Sequence, residues 1–228
     1  MKEVVFYSLF FYKNSLFSCF TIYILIHILN YDYFFKTFRI KGDNFDMFRV
    51  KKLEVEGCYL ITPTVFMQNT CDLIKVFNDT QFNIYGLSTE FKEEYYVIAK
   101  PGVVRGMHFQ LPPEEHDKLI TCIIGEIQDV VVDLRKESKT FGKYSVVNLN
   151  EDNKNLIYIP SGCAHGYYIK GDKHALVFYK VTKPFVRKLR SGINWNSLDI
   201  PWEFVHNKVE VESEDEKWPK FEEFSSPF

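Results

Sequence analysis

The sequence predicts an all-β domain of closed or double-sheet architecture, ending in a short helical segment. Three observations carry this. Short runs of alternating or β-branched apolar residues recur from Leu53 onward. Turn residues separate them at short intervals. Only Ser213 to Glu223 reads as helical. Many short strands with turns at this spacing are what sandwiches and barrels are built from.

Residues 1–46 stand apart from the rest. They hold 14 Phe and Tyr residues, and Ser15 to Leu29 contains no Asp, Glu, Lys or Arg. As a membrane span this apolar run falls short of the roughly 20 residues required. As a secretory signal it lacks a small-residue cleavage site behind the run. The segment reads as an atypical aromatic-rich extension foreign to the domain, with an interfacial or partner-binding helix as the alternative. Composition changes at Met47-Phe48-Arg49-Val50-Lys51-Lys52-Leu53, so a single domain is expected over residues 47–228.

Within that domain the strands follow in order. Ile120 to Ile124 and Ile127 to Val132 flank Gly125-Glu126. Gly first in a two-residue loop fits a II′ turn, so a hairpin is expected there. Tyr144 to Leu149, Leu156 to Ile159, Tyr167 to Ile169 and Ala175 to Val181 continue the series, with Gly171-Asp172 as a second hairpin signal.

Composition narrows the function. A chain of 228 residues with net charge -2 has no global field to draw it to nucleic acid or to an anionic membrane. Its five cysteines are scattered and form no Cys-x-x-Cys pair, which argues against a disulfide framework and suits a reducing cytoplasm. No Gly-x-Gly-x-x-Gly follows a strand, so no nicotinamide or flavin is expected. His108 is followed by Phe109-Gln110 rather than a second His, and His116 sits among Glu114, Glu115 and Asp117 in what reads as a solvated loop. A catalytic metal usually needs three protein ligands, so none is expected.

The chemistry concentrates in Gly102-Val103-Val104-Arg105-Gly106-Met107-His108-Phe109-Gln110, with Lys118 ten residues beyond the His. A guanidinium, an imidazole and an ammonium in one short span suit an anionic substrate that must lose a proton. Histidine titrates nearest neutrality and is the default general base.

This stretch resembles the signature of the dTDP-4-dehydrorhamnose 3,5-epimerase family. The resemblance extends through Lys118-Leu119-Ile120-Thr121-Cys122, Ile159-Pro160-Ser161-Gly162-Cys163-Ala164-His165-Gly166-Tyr167, Phe178-Tyr179-Lys180-Val181-Thr182, Gly192-Ile193-Asn194-Trp195-Asn196 and Ser213-Glu214-Asp215. It covers roughly residues 50 to 225 and implies a cupin-type jelly roll, commonly a homodimer, that needs no cofactor. It also implies an enzyme that inverts C3, C5 or both in a nucleotide-linked 4-keto-6-deoxyhexose through an enolate. By the resemblance His108 is the base, Asp215 its carboxylate partner, Lys118 the enolate stabiliser and Tyr179 the acid on the opposite face. Arg105, His165 and Gln110 then bind the nucleotide sugar.

Departures fall at the edges of the pattern. Thr70, in Gln68-Asn69-Thr70-Cys71, stands where the family carries an Arg toward the diphosphate. Glu93-Glu94-Tyr95-Tyr96 replaces a Gln-Asp-Asn stretch, and Pro184-Phe185 replaces a Tyr pair. These changes leave the nucleotide open between dTDP and another such as CDP. The alternatives are a sugar-nucleotide binding module without turnover and a metal-dependent jelly-roll enzyme.

Overall fold

The structure, a computed structural model, describes residues 46–228. The extension expected over residues 1–46 lies, Asp46 apart, outside the described residues. Among those described, no helix is long and apolar enough to cross a membrane.

Two antiparallel sheets face each other. The first contains β1 (Phe48–Lys52), β2 (Tyr59–Pro63), β5 (Glu93–Ala99), β7 (Lys118–Ile124), β10 (Leu156–Ile159) and β12 (Ala175–Val181), ordered β1-β2-β10-β7-β12-β5. The second contains β6 (Val103–Gln110), β8 (Glu126–Asp133), β9 (Tyr144–Asn150), β11 (Cys163–Ile169) and β13 (Arg190–Gly192), ordered β13-β6-β11-β8-β9. A short β14 (Glu210–Val211) adds in parallel to β6. β3 (Val65–Met67) and β4 (Asp72–Ile74) form a separate hairpin. This is the double-sheet architecture expected of a jelly roll.

Period-two alternation explains the layers. In β12 the buried residues are Ala175, Val177, Tyr179 and Val181. Ala175, Val177 and Tyr179 face Ile127, Leu149, Cys163, Tyr167 and Ile169 of the second sheet across one inner core. The alternate residues of β8 and β11, among them Val130, Val132 and Ala164, face outward with Met107 and Phe109. Trp195, Trp202, Phe221, Phe224 and Phe228 of the C-terminal segment cover them.

The structure corrects two readings of the sequence. Gly125 takes the expected positive φ of 83°, but β7 and β8 lie in different sheets. The turn is a corner between layers, not a hairpin. Gly171-Asp172 likewise joins β11 to β12 across the layers. A Cβ on Gly125 would sit 2.9 Å from the His174 carbonyl, so the corner needs Gly for space as well as φ.

One helix also went unanticipated. α1 (Asp79–Ile84) is capped by the Asn78 side chain, which accepts from the Gln81 N–H. A helix this short is not stable alone. It is pinned by Phe82, buried edge-on against Phe48 at 5.5 Å and Phe77 at 5.0 Å. The predicted C-terminal helical segment is present as two 3-10 turns, Asp215–Lys217 and Phe221–Glu223.

Candidate active site

The sheets part at one end around a cavity of about 510 Å³. Tyr95, Lys118 and Tyr179 line it from the first sheet, and Arg105, His108, Gln110, His165 and Tyr167 from the second. Strand register places these side chains. His165 pairs with His108 and Tyr167 with Arg105 between β11 and β6, while Tyr179 pairs with Tyr95 between β12 and β5.

Asp215 reaches the site from the C-terminal turn. His108 Nε2 lies 2.6 Å from Asp215 Oδ1, and the Gly106 N–H donates to Asp215 Oδ2 at 3.0 Å. Asp215 is buried, whereas the His108 side chain keeps 22 % exposure toward the cavity. An imidazole that donates Nε2–H to a carboxylate keeps its lone pair on Nδ1, free to take a proton. Burial pulls the His108 pKa below 6.5, and the Arg190 and Lys118 charges add to this while Asp215 opposes it. The ring is therefore neutral at neutral pH. Burial alone would raise the Asp215 carboxyl, but hydrogen bonds from His108 and the Gly106 N–H, with Arg190, hold it below the usual range.

Gly106 is what lets β6 approach β11 closely here. Its φ is +128°, and a Cβ there would stand 2.5 Å from Gly166 Cα. The Arg-Gly-Met-His motif therefore needs Gly at its second position, opposite Gly166 on β11.

Lys118 opens β7 and donates to the His108 carbonyl at 3.1 Å. The preceding Asp117 is tied down by the Tyr158 hydroxyl at 2.5 Å and the Ser161 N–H at 2.8 Å, which fixes where Lys118 enters. Burial lowers the Lys118 pKa to about 8, against the attraction of Asp129. On the adjacent strand β12, burial and the neighbouring Tyr167 hydroxyl hold the Tyr179 pKa well above its ordinary value. That phenol stays protonated and able to donate. Tyr95 stacks on it at 4.8 Å with planes 12° apart, which fixes its ring.

His165 Nε2 lies 2.7 Å from Asp129 Oδ2. Arg105 lines the cavity, and among the described residues no carboxylate pairs with it. Gln110 lines the cavity too, but its amide is engaged. Oε1 accepts from the Val186 N–H at 2.5 Å, and Nε2 faces Glu114 O at 2.8 Å and His116 Nδ1 at 3.0 Å. Gln110 thus ties the loops beside the mouth together. Among the described residues no three His, Cys, Asp or Glu side chains gather as a metal donor set.

The structure thus brings Arg105, His108, Gln110, Lys118, His165, Tyr179 and Asp215 together at one cavity. It adds Arg190, Tyr95 and Asp129. Asp129 carried a signal, a lone acid inside an apolar strand. Arg190 and Tyr95 carried none beyond their nearness to matched motifs. Arg190 Nη2 lies 3.0 Å from Asp215 Oδ1 and 2.9 Å from His108 Nε2, and Nη1 pairs with Glu214.

The chain resembles known proteins along most of its described residues. A family profile described as dTDP-4-dehydrorhamnose 3,5-epimerase matches residues 52–223. A dTDP-4-dehydrorhamnose 3,5-epimerase from Shigella flexneri is 36% identical over 156 residues, covering 67% of this chain and 86% of the relative. The crystal structure of dTDP-4-dehydrorhamnose 3,5-epimerase from Elizabethkingia anophelis NUHP1 superposes with TM-score 0.73 at 29% identity, covering 78% of this chain and 98% of that one. A Legionella pneumophila dTDP-6-deoxy-D-glucose-3,5-epimerase solved with dTDP-4-keto-L-rhamnose gives TM-score 0.70 at 26% identity, over 74% and 89% of the two chains. On the extent of these matches, the chain belongs to the dTDP-4-dehydrorhamnose 3,5-epimerase family.

Proposed function

We propose that this chain is an isomerase that epimerises a nucleotide-linked 4-keto-6-deoxyhexose by proton transfer, using only its own side chains. The observation that carries this reading is that His108 and Tyr179 enter one cavity from facing sheets. Inverting a carbon beside a ketone needs a base on one face and an acid on the other.

His108 Nδ1 takes the proton from the carbon next to the C4 ketone. The C–H electrons move into the ring and the C4 oxygen becomes an enolate. Asp215 stabilises the imidazolium, as in hydrolytic triads. Lys118 faces the enolate oxygen as a fixed cation in a water-poor site. Tyr179 then protonates the same carbon from the opposite face and the carbonyl reforms. Solvent returns the Tyr179 proton and removes the one on His108. General acid–base groups of this kind contribute roughly 10²–10⁴ in rate. A binding module without turnover is not favoured, because His108, Asp215, Lys118 and Tyr179 are together in one cavity.

The substrate is a dTDP sugar or a close analogue such as a CDP sugar, with Arg105 and His165 toward the diphosphate and sugar. Thr70 takes no part in holding the diphosphate. Residues 47–228 form the whole catalytic unit, work as a homodimer in the cytoplasm, and supply deoxysugar for surface polysaccharide. A chain beginning at Met47 then keeps full activity.

The test is incubation with dTDP-4-keto-6-deoxyglucose in deuterated water, read by mass spectrometry and proton NMR. Deuterium entering C3, C5 or both, with an inverted product, supports the reading. Unlabelled, unchanged sugar overturns it.

A further inference from the structure

We propose that Arg190 is a positioning residue that sets the proton affinity of the His108–Asp215 pair. The proposal rests on the epimerase reading for its meaning but not for its main test.

Arg190 opens β13, cross-strand from Gln110 on β6. Its guanidinium spans two adjacent carboxylates, with Nη1 on Glu214 and Nη2 on Asp215 Oδ1 at 3.0 Å. The planar fork of Arg fits such a pair, whereas Lys offers only a point charge. The Asp215 oxygen that holds His108 at 2.6 Å is the same one that Arg190 grips. One carboxylate charge is therefore shared between two partners. The Arg190 nitrogen also stands 2.9 Å from His108 Nε2.

A carboxylate alone would make His108 a strong base, protonated at rest. A guanidinium against the same oxygen and beside the same ring nitrogen disfavours the imidazolium. The resting ring stays neutral and ready to accept a proton, and the imidazolium formed in the reaction gives that proton up readily. Asp215 meanwhile stays ionised and oriented, because Gly106 N–H holds its second oxygen. The other charged or titratable groups lining the cavity with His108 are Glu93 and Tyr95 from β5, Arg105 from β6, His116 from the loop before β7, Lys118 from β7, His165 and Tyr167 from β11, Tyr179 from β12, and Glu212 and Glu214 from the C-terminal segment. Of the cations, Lys118 takes its place at the enolate and Arg105 toward the diphosphate and sugar. Arg190 is the group free to tune the base.

The experiment is NMR titration of the His108 imidazole in substrate-free protein, assigned by loss of its signal in His108→Gln. Arg190→Gln is expected to raise the His108 midpoint by on the order of one pH unit, and Arg190→Lys to leave it near the parent value. The acid limb of kcat/KM for deuterium exchange should move by the same amount as the NMR midpoint. A folded Arg190→Gln protein with an unchanged midpoint would overturn the proposal. So would Arg190→Lys shifting as far as Arg190→Gln, which would assign the effect to packing rather than charge. If Arg190→Gln does not fold, Arg190→Met, of similar volume, takes its place. The titration needs no turnover, so a protein that never exchanges deuterium would sink the epimerase reading while the NMR midpoints still decide the role of Arg190.

Discussion

His108 Nε2 and Asp215 Oδ1 meet at 2.6 Å although 107 positions separate them in sequence. The contact joins the centre of a core strand to a turn near the C-terminus. It makes the last segment of the chain part of the chemistry as well as a cover for the outer face of the second sheet.

Asp215→Asn tests the electrical half of that contact. The amide carbonyl can still accept from the Gly106 N–H, so the fold should persist. The amide NH₂ then faces His108 Nε2 and selects the wrong tautomer. Deuterium exchange should fall by on the order of 10²–10⁴, with an unchanged thermal transition.

The pH profile follows from two groups. His108 works unprotonated, and burial holds its pKa below 6.5. The acid limb of kcat/KM should therefore lie below the ordinary imidazole range. Lys118 works protonated, and burial brings its pKa to about 8. Rate should therefore fall as pH rises through about 8. Lys118→Met should lower the rate by about 10²–10³ and abolish the alkaline limb. An alkaline limb that survives in Lys118→Met would assign that titration to another group.

Tyr179→Phe separates the two proton transfers. His108 can still remove a proton and return it on its own face, so exchange should continue. Inverted product should drop far more than exchange does. Equal loss of both, measured by NMR on the recovered sugar, would place Tyr179 on the base side of the reaction.

Gly106→Ala addresses the backbone. The residue sits at φ +128°, and its new methyl would stand 2.5 Å from Gly166 Cα and 2.9 Å from the His165 carbonyl. A loss of about 2–4 kcal/mol in stability is expected from strain and overpacking together. Chemical denaturation measures it, and a parent-like midpoint would contradict the account of this motif.

Much of this was legible in the sequence, for physical reasons that also mark the limits. Leu156–Ile159 and Ala175–Val181 were read with the same bounds the strands have, because alternation and β-branching are local signals. Gly125 announced a chain reversal but not its partner. A positive φ is local, whereas the sheet a strand joins depends on residues far away. The α1 helix escaped because its six residues span fewer than two turns, although Asn78 followed by Gln81 three residues on was a readable cap. The principal site residues were found through motif resemblance. Arg190 was missed because its role exists only where β13 meets the turn bearing Glu214 and Asp215, a junction no local pattern encodes.

The most direct test of the central claim is deuterium uptake from solvent by a nucleotide-linked 4-keto-6-deoxyhexose, compared between the parent protein and His108→Ala. The parent should exchange, and His108→Ala, shown by circular dichroism to be folded, should exchange at no position. Exchange in His108→Ala at the parent rate would contradict the assignment of His108 as the base.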